Sequence, residues 1–193
     1  MTSLPDGEDD LVRRCLAGES AAVTDLIARF RTEIYSLCVR MLRHHQDAED
    51  VSQEIFLRVV RNLNRWDATR PLRPWIMTIA VNRCRTWLGK RSRLPQTTEA
   101  VNDLAARADP EPPGELMTAL AVAVGNLRTD YREVFVLYHE QGHPYEAIAE
   151  VVGRPVGTVK TWLHRARIEV MTALREAGLA EEGQDRTNPR RRP

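Results

Sequence analysis

The 193-residue chain has no apolar run approaching the about 18 residues that a membrane-spanning helix needs, and it begins MTSLPDGEDD, acidic where a secretion signal would be basic and then apolar. Neither membrane insertion nor export is expected, and the protein is placed in the cytoplasm. Cysteine is scarce. Cys15, Cys38 and Cys84 stand far apart with no CxxC-type spacing, so neither a disulfide framework nor a thiolate metal site is indicated. Strand-like alternation of apolar and polar residues is missing throughout, which leaves an all-α fold. Acidic residues are missing from 154–168, a stretch that holds Arg154, Lys160, Arg165 and Arg167.

What is present is ordinary for a chain that buries a core: 42% hydrophobic and 28% charged residues, at a length suited to one domain or two small ones. The formal net charge of +1 conceals segregation. Residues 60–93 carry nine Lys/Arg against Asp67 alone, and residues 94–116 carry five acids against Arg107. Two basic blocks around an acidic stretch suggest two contacts with one polyanion, as in nucleic-acid binding. Charge alone fits solvated helix faces equally well.

Periodicity sets the helices. Val23, Leu26, Ile27, Phe30, Ile34, Leu37, Cys38 and Met41 recur at three- and four-residue steps, one buried face of a long helix. A second helix is expected from Asp47 as N-cap, burying Val51, Ile55, Val59 and Leu63. After a loop over 64–70, Pro71 and Pro74 mark the start of a third, with Trp75, Ile76, Ile79, Ala80 and Trp87. Residues 93–114, with Pro110, Pro112 and Pro113, have linker composition. Helical periodicity resumes at Leu116, Leu120 and Val124, then at Tyr131, Val134, Phe135 and Tyr138, stopping at Gly142. The last residues, EEGQDRTNPRRRP, lack apolar content and are expected to be disordered.

The segment 144–167, PYEAIAEVVGRPVGTVKTWLHRAR, has helix-turn-helix spacing: small Ala149, turn-forming Gly153 four later, apolar Val159 six after that. Ile148 and Val152 face inward on the first helix; Val159, Leu163 and Ala166 do so on the second. Gly157, Thr161, His164 and Ile168 lie opposite Val159, flanked by Lys160 and Arg165, a donor-rich face suited to base edges and phosphates. An ordinary helical hairpin with a basic solvent face would share the spacing but would be expected to mix acids with bases.

One motif competes. Residues 139–143 read HEQGH, a literal HExxH zinc-protease pattern. That chemistry needs both histidines on one unbroken helical turn, and Gly142 followed by Pro144 breaks it, so a helix end and interhelix turn are expected. His44 and His45 read as a polar turn.

GRPVGTVKTWLHRAR (153–167), preceded by YREVFVLYHEQGHPYEAIAE (131–150), resembles the −35-binding region of extracytoplasmic-function (ECF) sigma factors of the sigma-70 family. DAEDVSQEIFLRVVRNL (47–63) resembles the helix with which these factors bind the clamp helices of RNA polymerase, and RWDATRPLRPWIMTIAVNRCRTWLGKR (65–91) their −10-binding segment. Two motifs in the family's order are more specific than a lone helix-turn-helix. The resemblance implies two small helical domains joined by a flexible linker: region 2 over 8–93, an acidic linker over 94–114, region 4 over 115–176 and a disordered tail over 177–193. It implies no enzymatic activity, no cofactor and no small-molecule substrate. Its partners would be core RNA polymerase, promoter DNA and an anti-sigma factor. Asp50, Gln53, Glu54 and Arg58 would meet polymerase. The loop 66–72, with Trp66, Asp67, Arg70 and Leu72, would capture a flipped −10 base, and Arg73, Asn82 and Arg83 would follow the non-template strand. Lys160, Thr161, His164, Arg165 and Arg167 would face the −35 element.

The sequence departs from the family where Leu72 replaces a usual aromatic, where Pro74 precedes Trp75, and where Thr86 and Gly89 replace a common Asp and Arg. Trp162 stands at a usually polar position and reads as edge of core. The competing reading is a helix-turn-helix regulator that acts without being a polymerase subunit; residues 1–93 would then need a strand-containing receiver or a ligand pocket, neither of which is visible.

Overall fold

The computed structural model describes residues 7–91 and 114–180. The linker and tail expectations fall largely outside these residues. In chain order the helices are α1 (Glu8–Leu16), α2 (Ser20–Leu42), α3 (His45–Asn62), α4 (Leu72–Arg91), α5 (Glu115–Asn126), α6 (Thr129–Phe135), α7 (Tyr145–Val152) and α8 (Val156–Glu176). A 3-10 turn, Leu63–Arg65, follows α3, and α6 widens into a π-helical turn, Val136–Glu140. Among the described residues there is no strand, so the all-α expectation holds.

The face expected on α2 is buried at Leu26, Phe30, Ile34, Leu37, Cys38 and Met41. It packs against α3 through Val51, Ile55 and Val59, and against α4 through Ile76, Ala80 and Cys84. Prolines 71 and 74 sit before and within the first turn of α4, where a missing backbone N–H costs no helical bond.

Two local expectations are corrected. Asp47 does not cap α3. The helix starts at His45, and His44 at the cap position accepts from the Asp47 backbone N–H at 3.3 Å through Nδ1. Asp47, already in the first turn, instead pairs with Arg91 at 2.5 Å while still facing the positive helix end. On α5, Leu116 is exposed rather than buried, and burial begins further along at Ala123 and Val124.

The two helical halves expected from the sequence are both present, and among the described residues their buried faces join in one continuous core. α4 lies along α7, and α2 touches α5 and α6. Helix α6 and the following turn are buried without a break from Tyr131 to Leu137, which makes them the centre of the C-terminal half. Arg132, in this stretch, donates to the carbonyls of Gly125, Leu127 and, across to α2, Met41, at 2.7, 2.8 and 2.9 Å. Burial, aided by the nearby Arg43, lowers its guanidinium to about 10. Arg43 ends α2 in a left-handed conformation (φ 60), a geometry that disfavours a side chain, and donates to Gly125 O at 3.0 Å. A Cβ on residue 125 would lie 2.9 Å from Arg43 Nε, so glycine permits this close approach.

Candidate nucleic-acid interface

The C-terminal site is built on the turn between α7 and α8. Gly153 takes φ 67, which reverses the chain at little cost without a side chain, and Arg154 N–H closes back on Ala149 O at 3.0 Å. Pro155 O then accepts from the N–H groups of Thr158 and Val159, starting α8. Val159, Leu163 and Ala166 are buried, as their spacing predicted. That seating turns Lys160, Thr161, His164 and Arg165 outward, all exposed along one side of α8. Trp162 is half-buried at the edge of the core, with Arg154 6.0 Å over its ring.

Aromatic rings hold several of these cations. Tyr138 and Tyr145 stack with centroids 5.0 Å apart; Lys160 Nζ lies 5.4 Å over Tyr145 and the Arg167 guanidinium 5.1 Å over Tyr138. Arg167 Nε donates to His139 Nε2 at 3.0 Å, and Arg165 donates to the Tyr131 hydroxyl at 3.2 Å. Partial burial, then the adjacent Arg167 charge, pushes His139 below its usual value, so the neutral ring accepts this bond. Ring faces attract cations and reduce the freedom of long side chains before any ligand arrives. Arg167 is thereby half-buried and turned toward His139, away from the fully exposed row.

The histidines of the HExxH pattern separate. Gly142, at φ 68, ends the helix between them. His139 meets Arg167, whereas His143 is buried with Nε2 3.1 Å from Glu33 Oε1 on α2.

In the N-terminal half, Asp50, Gln53, Glu54 and Arg58 are exposed on α3. Glu54 accepts from Arg83 Nε at 2.5 Å, and this bond holds its carboxyl below the usual range. Arg83 is buried, so it ties α4 to α3 in this conformation. The loop before α4 organises itself: Asp67 Oδ1 accepts from Thr69 N–H at 2.9 Å and Thr69 Oγ1 at 2.7 Å. These bonds lower the Asp67 carboxyl, the backbone one most. Trp66 is half-buried. Leu72 is fully buried, its N–H donating to Glu8 Oε2 at 3.0 Å. Asn82 is exposed, Arg70 reaches Glu150 on α7 at 2.6 Å, and Arg73 binds Glu33 at 2.9 Å.

Sequence reasoning missed the charged residues between the halves. Arg85 binds both carboxylate oxygens of Glu133, at 2.8 and 2.5 Å, and Glu133 is fully buried. Burial pushes the Glu133 carboxyl up against the opposing pull of Arg85. For Glu33, burial also pushes upward, but bonds from His143 and Arg73 outweigh it and leave the carboxyl below its usual range. A signal was available: residues 134–137, VFVL, are apolar around a full helical turn, the pattern of a helix covered on every side.

Residues 26–94 match the sigma-70 region 2 family and residues 117–170 the sigma-70 region 4 family. The RNA polymerase sigma factor CarQ of Myxococcus xanthus is 31% identical over 165 residues, covering 84% of this chain and 94% of CarQ. The ECF RNA polymerase sigma factor SigW of Bacillus subtilis is 29% identical, covering 86% of this chain and 95% of its own length. Among solved structures, CnrH in complex with the cytosolic domain of CnrY superposes with a TM-score of 0.67 at 24% identity, covering 89% of this chain and 99% of CnrH. The sigma factor RpoE, solved with the anti-sigma factor NepR from Bartonella quintana, gives 0.68 at 20% identity, covering 79% and 96%. With both halves matched in order and one relative above 30% identity along nearly the whole length, the chain belongs to the sigma-70 family, among the ECF RNA polymerase sigma factors.

Proposed function

We propose that this sigma factor grips promoters at two points, with α8 reading the −35 duplex and the N-terminal half holding polymerase and the opened −10 strand. The observation that carries the reading is the exposed, acid-free row of Lys160, Thr161, His164 and Arg165 on a helix seated by Val159, Leu163 and Ala166. Arg165 and His164 reach for base edges, Lys160 and Arg167 for phosphates, and Thr161 for either. Asp50, Gln53, Glu54 and Arg58 on α3 form the polymerase contact. Trp66, Asp67 and Arg70 shape the −10 loop, which Leu72 anchors from the core side, while Arg73, Asn82 and Arg83 lie toward the strand. The working units are region 2 over 8–93 and region 4 over 115–176.

Such a factor acts in the cytoplasm, where core polymerase and the chromosome meet, and its chemistry is binding rather than catalysis. By analogy with RpoE and its partner NepR, an inhibitory protein partner is proposed for this chain. A regulator acting apart from polymerase leaves the region 2 match without a purpose. The experiment is transcription in vitro with purified core RNA polymerase on fragmented genomic DNA, with start sites mapped. Starts that share a −35 and a −10 element and require the chain support the reading. Duplex binding without any polymerase-dependent start overturns it.

A further inference from the structure

Glu8 is an acid that the core has taken in. It opens α1, yet it is 4% exposed, whereas its neighbours Asp9 and Asp10 stand in solvent and serve the positive end of the helix from there. Carboxylates are rarely buried unless they are paired. Oε1 accepts from Arg29 Nη2 at 3.1 Å, but Arg29 is 45% exposed and could meet a carboxylate at the surface as well. The inward partner belongs to Oε2, which accepts the backbone N–H of Leu72 at 3.0 Å, 64 positions along the chain. That N–H is the first of α4, and the opening donors of a helix have no partner within it. Asp67, the acid of the preceding loop, turns back on Thr69 and leaves this donor to α1.

We infer that Glu8 is a positioning residue for the −10 loop, holding from α1 the stem by which residues 66–72 enter α4. Burial of the Leu72 side chain sets where this stem lies. The bond to its N–H sets how the Pro71–Leu72 peptide is turned, and with it the direction in which the loop leaves the core. The other stem is braced by the same helix: α1 buries Val12 and Cys15, packs on α2 and lies against the 3-10 turn Leu63–Arg65, from which Trp66 departs. A flipped base is held while its pocket keeps its shape to about 0.5 Å, and groups behind the pocket provide that stiffness. A bond to a charged acceptor, about twice as strong as a neutral one, suits the task. Glu8 touches no DNA in this role; it acts through Leu72.

The inference rests on assigning a −10 base to this loop, so the experiment includes Asp67→Ala, within the loop, as a separate probe of that assignment. Holoenzyme formed with core polymerase transcribes a panel of promoters that carry single-base changes in the −10 or the −35 element. The readout is the ratio of initiation between the favoured and the altered base. Glu8→Ala removes the acceptor, Glu8→Asp keeps the charge but is shorter by one methylene, and Glu8→Gln keeps an acceptor at the original length. Glu8→Ala and Glu8→Asp should lower the −10 ratio about tenfold, the effect of losing a hydrogen bond to a charged group, and leave the −35 ratio intact. Glu8→Gln should keep most of the −10 ratio. Should Glu8→Ala melt below the assay temperature, Glu8→Asp and Glu8→Gln carry the test, since both keep a polar side chain at the site. A −10 ratio unchanged in Glu8→Asp but lowered in Asp67→Ala would overturn the inference. Equal losses at −10 and −35 would also overturn it, because they mark general instability. If neither variant lowers the −10 ratio, the assignment of the loop falls and the inference falls with it.

Discussion

Helices α4 and α8 are both rich in arginine, yet they hold their charges in opposite ways. On α8 the outward row is open to solvent, and the carboxylates that flank it are few. Arg165 and Arg167 rest on neutral partners, the Tyr131 hydroxyl and the His139 ring, which order them without cancelling their charge. On and just before α4, Arg70, Arg73, Arg83 and Arg85 each meet a carboxylate. Polyanion affinity depends on how many phosphates a surface can neutralise, so the two helices differ in availability more than in composition. The row on α8 stands open to a polyanion, and the arginines on and before α4 are already paired within the chain.

The largest effect that can break this contrast is removal of the anchor beneath α8. Leu163 is 1% exposed. Leu163→Ala should cost about 2–5 kcal/mol, the range for emptying a packed leucine site. Urea denaturation should show the loss, and binding of −35 duplex should fall with it. Full stability in this variant would mean that α8 is not held by its apolar face.

Next comes the polar joint between the halves. Arg132→Met keeps the apolar stem but removes the donor from the carbonyls of Met41 and Leu127, while Gly125 O keeps its bond from Arg43. A buried polar group left unsatisfied costs about 1–3 kcal/mol, and water reaching the joint would keep the total near the upper end of that range. The measurement is the denaturation midpoint, with hydrogen exchange at Met41 through Arg43 reporting whether the two halves loosen together. An unaltered midpoint would mean that the joint is solvated and the halves are energetically independent.

These two sites also show how far the sequence could be read. Leu163, Val159 and Ala166 were legible because a 3.6-residue period and a turn glycine fix which face is buried, whatever the rest of the chain does. The exposed row Lys160, Thr161, His164 and Arg165 follows from the same geometry. Arg83, Arg85 and Glu133 were not legible as partners, since pairing across 29 or 48 positions leaves no trace in local periodicity. The cap of α3 was misplaced by a different route. Asp is the better capping residue in general, but the helix begins early enough for the His44 ring to take that place and for Asp47 to turn to Arg91. The join between the halves escaped because a proline-rich stretch signals separate domains and says nothing of how their surfaces fit.

Within α8 the two kinds of contact should separate cleanly. If Arg165 reads a base, Arg165→Ala should cost about 1–3 kcal/mol on the preferred −35 sequence and relax the preference at one position. Lys160→Ala should instead weaken every duplex alike and lower the slope of log affinity against log salt by about one ion. Titrations across a panel of single-base −35 variants at several salt concentrations would distinguish them. Uniform loss for Arg165→Ala would reassign it to phosphate.

The smallest effect concerns the neutral partner of Arg167. The folded value of His139 lies below that of the free side chain, because burial and the neighbouring Arg167 charge disfavour its protonated form. Below the ordinary histidine value the unfolded chain therefore takes up a proton that the native site resists. Stability from this residue is fully present above that value and declines as pH falls through it. His139 is largely exposed, so solvent screens the term and its contribution to stability is modest. The clearer signal lies in the arginine: a protonated ring cannot accept from Nε, and Arg167 should leave Tyr138 for solvent. Lowering pH from 7.5 to 5.5 should broaden the Arg167 Nε resonance and strengthen nonspecific duplex binding as the cation is released. His139→Gln, which keeps an acceptor but does not titrate, should show neither change. A pH response that survives in His139→Gln would belong to another histidine and would leave Arg167 held on the π-helical turn by its contact with the Tyr138 ring alone.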